Sequence, residues 1–184
     1  MKEAGVFIDG AYLSKMLKYF GERGIDIGLF VHALCTNEVL FRAYYYDCLP
    51  HQSENPTPEE RRRLSTKRQF FNSLERLDHF TVREGNLIFR GNDEHGHPLF
   101  VQKQVDLLLG LDLALLVSRR RIDMAILLAG DSDFIPAVRF AREEGALVRL
   151  VHGPVGTYKK ELWTLSDERV ELTQQLLHSF VRTP

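Results

Sequence analysis

The sequence predicts an α/β fold of three layers, a Rossmann-like arrangement with a mostly parallel central sheet and helices on both faces. Three observations predict it. Apolar runs of strand length alternate along the chain with helix-length amphipathic segments. Two of the runs, "AGVFI" and "DMAILLAG", are apolar without alternation, as strands covered on both faces are. The segments between runs carry helix start and stop signals.

The elements follow in chain order. "AGVFI" (4–8) is a short strand. "GAYLSKMLKYFG" (10–21) has Leu13, Met16, Leu17 and Phe20 at helical spacing and ends at Gly21. "IGLFVHALC" (27–35) reads as a second helix, and the aromatic, β-branched "EVLFRAYYYDCL" (38–49) as a strand. Pro50, Pro56 and Pro58 mark a loop; Thr57, Pro58 and Glu60 then form a capping-box start for a helix over 57–77. "HFTVREGNLIFRG" (79–91) reads as strand, a turn near Gly85-Asn86, and more strand, followed by a loop at "NDEHGHP". "QVDLLLGLDLALLVSRR" (104–120) is a long apolar helix, and 123–130 is a buried strand. The segment 131–145 is a helix closed by Gly145, and 146–153 is a further strand. A capped helix is expected over 166–181. The whole, 1–184, reads as one domain with a core of about 4–153 and the last helix packed on it.

Composition narrows the partners. The chain of 184 residues is 44% hydrophobic and 27% charged, with a formal net charge of −1. No global basic field announces nucleic acid, so any such site must be a local patch. The first residues hold too short an apolar run for a secretory signal. "VDLLLGLDLALLV" contains Asp106 and Asp112, which argues against a membrane span. Cys35 and Cys48 have no metal-ligand spacing; buried free thiols in a reducing, cytoplasmic setting are expected. Whether the chain forms a homo-oligomer is left open.

Four acids stand where such a fold binds ligands. Parallel sheets receive ligands beyond the carboxyl ends of their strands. Asp9 ends the first strand, Asp131 and Asp133 follow a central one, and Asp106 lies in the first turn of a helix that starts at the same edge. Crowded carboxylates raise one another's pKa or demand a cation. Oxygen-only donors suit Mg²⁺ or Mn²⁺ rather than zinc. A metal so held can position water and polarise a phosphoryl oxygen, the chemistry of phosphodiester hydrolysis. Each aspartate taken singly can instead be a helix cap.

The blocks "GVFIDGAYL", "KQVDLLLGLD" and "LLAGDSDFIPAVRFAREEGALVRLV", with "FRAYYYD" beside them, resemble the signature blocks of the NYN domain family, in particular its LabA-like branch within the PIN-like nuclease group. The likeness runs from about Gly5 to Val151. It implies a parallel sheet of order 3-2-1-4-5, an acidic pocket for divalent metal, and ribonuclease activity. Matched by motif, the metal-site and catalytic acids are Asp9, Asp106, Asp131 and Asp133. Two positions depart from the pattern: Tyr12 replaces the usual asparagine three residues after the first acid, and Gln104 replaces the glycine before Val105-Asp106.

Other residues are weighed beside these. Tyr12 suits a packed tyrosine, with stacking on a base as the alternative. Asp112 lies six residues after Asp106, about 120° around an ideal helix, and is read as a support. Ser132 suits a cap, with a phosphate contact as the alternative. Lys103 and the basic helix positions Arg61, Arg62, Arg63, Lys67 and Arg68 are candidates for substrate backbone, or simply solvated charge; Arg119–Arg121 form a second run. His95 and His97 are read as exposed.

The leading expectation is a metal-dependent endoribonuclease acting on single-stranded or structured RNA. A haloacid-dehalogenase-like phosphatase is disfavoured by Ala11 and Ile135 at positions where that chemistry needs acids, and no GxGxxG loop is present. The alternative of another class is a non-catalytic RNA-binding or protein-interaction module, for which Tyr12 is the best support.

Overall fold

Strands without polar alternation need cover on both sides, and the computed structural model, which describes residues 1–96 and 98–181, shows how the chain supplies it. The elements are β1 (Lys2–Asp9), α1 (Gly10–Tyr19), α2 (Ile27–Leu34), β2 (Glu38–Cys48), α3 (Pro58–Glu75), β3 (Phe80–Asn92), β4 (Pro98–Lys103), α4 (Val105–Ser118), β5 (Met124–Leu128), α5 (Ile135–Glu143), β6 (Leu147–His152), α6 (Lys160–Leu165), β7 (Glu168–Glu171) and α7 (Gln174–His178), with a 3-10 turn at Ser132–Phe134 before α5. They form one seven-stranded sheet of order β4-β3-β2-β1-β5-β6-β7. β1 is central and pairs in parallel with β2 and β5.

The two-residue period of β1 divides the core. Val6 and Ile8 face one layer with Leu13, Met16, Phe30 and Phe71. Phe7 faces the other, with Leu109, Leu113, Val138 and Leu150. The helices on each side therefore bury opposite sets of the same strand. Thr57 and Glu60 form the capping box that starts α3, as expected. Cys48 is buried and Cys35 only half-buried, and both are free thiols. No helix among the described residues is long and apolar enough to cross a membrane.

The sheet corrects the sequence-based expectation in three places. Its order departs from 3-2-1-4-5 and it is mixed, because β4 adds an antiparallel edge on β3 and β7 a parallel edge on β6. Gly85-Asn86 is not a turn. β3 runs straight through it, and Gly85 is there for close approach: a Cβ would stand 2.6 Å from Val105 and 2.7 Å from the Lys103 carbonyl oxygen. The chain reverses later, in the loop where Gly96 takes φ +79°. Finally, 166–181 is not one helix. Asp167 accepts a hydrogen bond from Val148 N at 2.9 Å and aligns 168–171 beside β6. The alternation of Val170 and Leu172 with charged neighbours was a strand signal. Thr173 then caps the short α7.

One buried charge joins the far edge of the fold. Arg149 of β6 is 6% exposed and donates to both oxygens of Glu38, to Glu168 and to the Leu34 carbonyl. It thereby ties β6 to β7 and to the end of α2. Removing Glu38 takes away the guanidinium's buried carboxylate and leaves it the half-exposed Glu168 and the Leu34 carbonyl. Glu38→Ala is expected to cost about 3 kcal/mol in urea unfolding; a loss under about 0.5 kcal/mol would show that the pair contributes little.

Candidate active site

The three acid-bearing strand or helix ends are set by local geometry. β1 ends at Asp9, whose Oδ1 accepts from Ala11 N at 3.0 Å and Tyr12 N at 3.1 Å, capping α1. Both bonds fall on Oδ1, so Oδ2 takes no backbone donor. β5 is in register with β1, Ile8 opposite Leu128, so the chain reaches Gly130 and Asp131 at the same edge. Asp131 Oδ1 accepts from Ser132 Oγ at 3.1 Å and caps the 3-10 turn. Asp106 lies in the first turn of α4, placed there by a sharp entry: Gln104 is left-handed, φ +74°, and its amide oxygen accepts from Asn86 Nδ2 at 2.8 Å. Glycine is the residue that takes such a backbone without strain.

Electrostatics link these acids. Burial pushes the Asp9 carboxyl up to about 6 against the lowering effect of its two backbone hydrogen bonds, and the charges of Asp106 and Asp47 raise it further. The Asp106 carboxyl is also raised, by desolvation and then by Asp133 and Asp131. Asp106 is thus electrostatically coupled to the other three. Asp9 and Asp131 line one cavity of about 370 Å³ with Tyr12, Lys15, Tyr158 and Lys159. The four acids expected from the sequence therefore gather at one edge.

Asp47 joins them and was missed. It is the penultimate residue of β2, one beyond the Asp9–Tyr46 register pair, and is 5% exposed. A Cβ at Gly10 would stand 2.7 Å from its Oδ2, so the carboxylate sits directly against the start of α1. It is held by Lys67 Nζ, Cys48 N at 2.7 Å and Gln102 Nε2 at 3.4 Å. The signal is in "FRAYYYD": an aspartate close to the end of a strand, as Asp9 is in the first.

The remaining candidates divide. Tyr12 is packed: its hydroxyl accepts from Gly153 N at 2.9 Å and meets Thr157 Oγ1 at 3.2 Å. Its ring lies so close to Gly130 that a Cβ there would be 2.4 Å away. Asp112 points away from the acids, takes a bidentate pair from Arg83 at 2.8 and 2.9 Å and accepts from Tyr46 Oη at 3.0 Å. Lys67 is committed to Asp47, and Arg61 to the Pro56 carbonyl. Arg62, Arg68 and Lys103 are exposed. His95 is exposed and His97 lies outside the described residues.

The donor set is all carboxylate, which suits a hard cation chemically. Among the described residues no three His, Cys, Asp or Glu side chains stand together closely enough to hold one ion. Asp106, Asp131 and Asp133 are exposed.

Comparison with known proteins gives two findings. The NYN domain family matches over residues 3–167. A crystal structure of a protein of unknown function from Vibrio parahaemolyticus is similar in fold, with a TM-score of 0.65 and 18% identity over 94% of this chain and 93% of that one. No curated protein matches.

A testable consequence concerns Asp9. Its carboxyl is raised above the unfolded value of 3.8, so the folded state is penalised as pH rises from about 4 through about 6. Asparagine caps a helix about as well as aspartate. Asp9→Asn is expected to gain about 1–2 kcal/mol above pH 6, after discounting the shift for solvent at the rim, and nothing near pH 3.5. Thermal melts across that range check it; an equal change at both ends would refute the assignment.

Proposed function

The chain belongs to the NYN domain family of PIN-like nucleases, and on that premise we propose that it is a metal-dependent endoribonuclease of the LabA-like branch. Asp9, Asp106, Asp131 and Asp133 would hold Mg²⁺ or Mn²⁺, which supplies Lewis-acid activation of the phosphodiester when bound. The observation that carries the reading is the state of Asp9. It is a desolvated carboxylate with its Oδ2 free of backbone donors and other acids beside it, a costly arrangement that a cation would relieve.

The chain's own groups have separable tasks. Asp9 holds its Oδ1 still through two backbone hydrogen bonds, which leaves Oδ2 without a backbone donor. Lys15 and Lys159, on the wall of the cavity that holds Asp9 and Asp131, suit the charge of an incoming phosphate. Arg62, Arg68 and Lys103 lie outside, where an RNA backbone would run. Asp47, pinned by Lys67, adds negative potential behind Asp9 without leaving the core.

A binding module without catalysis is the second reading. Tyr12 favours it: the position that in relatives offers an asparagine is used here to tie Gly153 and Thr157 into the core.

Labelled single-stranded RNA incubated with Mn²⁺ or EDTA separates the two. Cleavage that needs metal, leaves 5′-phosphate ends and falls at least a hundredfold in Asp131→Asn is the expected result. RNA bound but intact in all conditions selects the module. Mn²⁺ should also raise the melting temperature of the native protein, and less so that of Asp131→Asn.

A further inference from the structure

A second cavity, of about 1100 Å³, shares no lining residue with the one that holds Asp9 and Asp131. It opens between α3 and the ends of β2, β3 and β4. Residues 59, 62, 63, 66, 67 and 70 of α3 line it, a face spaced i, i+3, i+4 and i+7. Of the 18 residues of α3 only Phe71 and Leu74 are buried, so the N-terminal turns of the helix stand off the sheet.

We propose that this cleft is the subsite for an unpaired nucleotide of single-stranded RNA, next to the phosphate that lies over the acids. The assignment rests on the nuclease reading for the position of that phosphate, and on the cleft itself for the nucleotide. Its floor is apolar, formed by Leu49, Phe70 and Leu87, as a base requires. Its wall carries Arg62, Arg63 and Lys67 against the single carboxylate of Glu59. Arg63 is paired with Glu59 and Lys67 with Asp47, whereas Arg62 makes no ion pair among the described residues. A nucleotide, with its flat base and single phosphate, is the occupant that an apolar floor and one cation unpaired among the described residues fit.

The cleft is continuous with the acidic edge. Lys67 and Gln102 line it, and both donate to Asp47. Asp47 in turn lies against Gly10, directly after Asp9. The lining residues Lys67 and Gln102 thus reach Asp47 by hydrogen bonds, and Asp47 packs against the residue that follows Asp9. A base held in a duplex must first be unpaired and unstacked, at the energetic cost of a flipped base; a splayed single-stranded base enters without it.

Thr66 is exposed on the lining face of α3, so Thr66→Trp fills the cleft without touching the core. A short fluorescent single-stranded RNA, with one abasic position moved along it, is titrated in EDTA against the native protein, Thr66→Trp and Arg62→Ala. One abasic position is expected to weaken native binding about tenfold. In Thr66→Trp that position should stop mattering, Arg62→Ala should weaken every oligonucleotide, and duplex RNA should bind more weakly than the single strand. A flat abasic profile in the native protein, the outcome if the cleft takes a peptide instead, overturns the proposal, as does an unchanged profile in Thr66→Trp. Cleavage in Mn²⁺ is scored separately. A flat profile with cleavage intact removes the cleft alone. A position-specific profile without cleavage removes the nuclease reading and leaves the nucleotide subsite standing.

Discussion

The parallel pairing of β1 with both β2 and β5 is the constraint on which the rest depends. Parallel strands in register end together, so the residue after each strand emerges at one edge. Asp9, Asp47 and the Gly130-Asp131 pair are far apart in the chain, yet this register places them side by side. α4 begins at that edge too, after a left-handed turn at Gln104, and contributes Asp106. Any slip of one residue in β1 would exchange the side chains it offers to the two core layers and separate the acids at the same time.

Gathering carboxylates in this way opposes stability. Asp9 is raised to about 6 mainly because burial strips water from its charge, and its neighbours add repulsion. The surrounding structure offsets this with backbone donors to Asp9, with Lys67 on Asp47 and with the buried Arg149 network at the opposite side of the sheet. An arrangement that a protein holds against its own electrostatics is one whose value lies in what it binds. On the proposed reading the acids take a cation, and Arg62 on the neighbouring α3 face meets a phosphate.

Tyr12 and Asp112 show how local context reassigns a residue. Tyr12 lies three residues after Asp9, where it could face a ligand, but its hydroxyl is consumed by Gly153 and Thr157. Asp112 shares a helix with Asp106, yet the helical turn carries it to Arg83 and Tyr46, where it fastens α4 to β2 and β3.

The sequence by itself determined the alternation of strands and helices, the burial of β1 and β5, the capping box of α3 and the positions of Asp9, Asp106, Asp131 and Asp133 at element ends. These are legible because they depend on nearest neighbours: hydrophobic period, caps and the residue that follows a strand. Only the tertiary structure decided the rest. Gly85 looked like a turn and is a contact, because what presses on it, Val105 and the Lys103 carbonyl, comes from a later part of the chain. The segment 168–171 has a short alternating pattern, too brief to outweigh the helical one around it, and pairing with β6 decided it. Asp47 gained its place beside Asp9 from strand pairing across nearly 40 residues, and pairing partners are set by the energy of the whole sheet rather than by any one stretch of it.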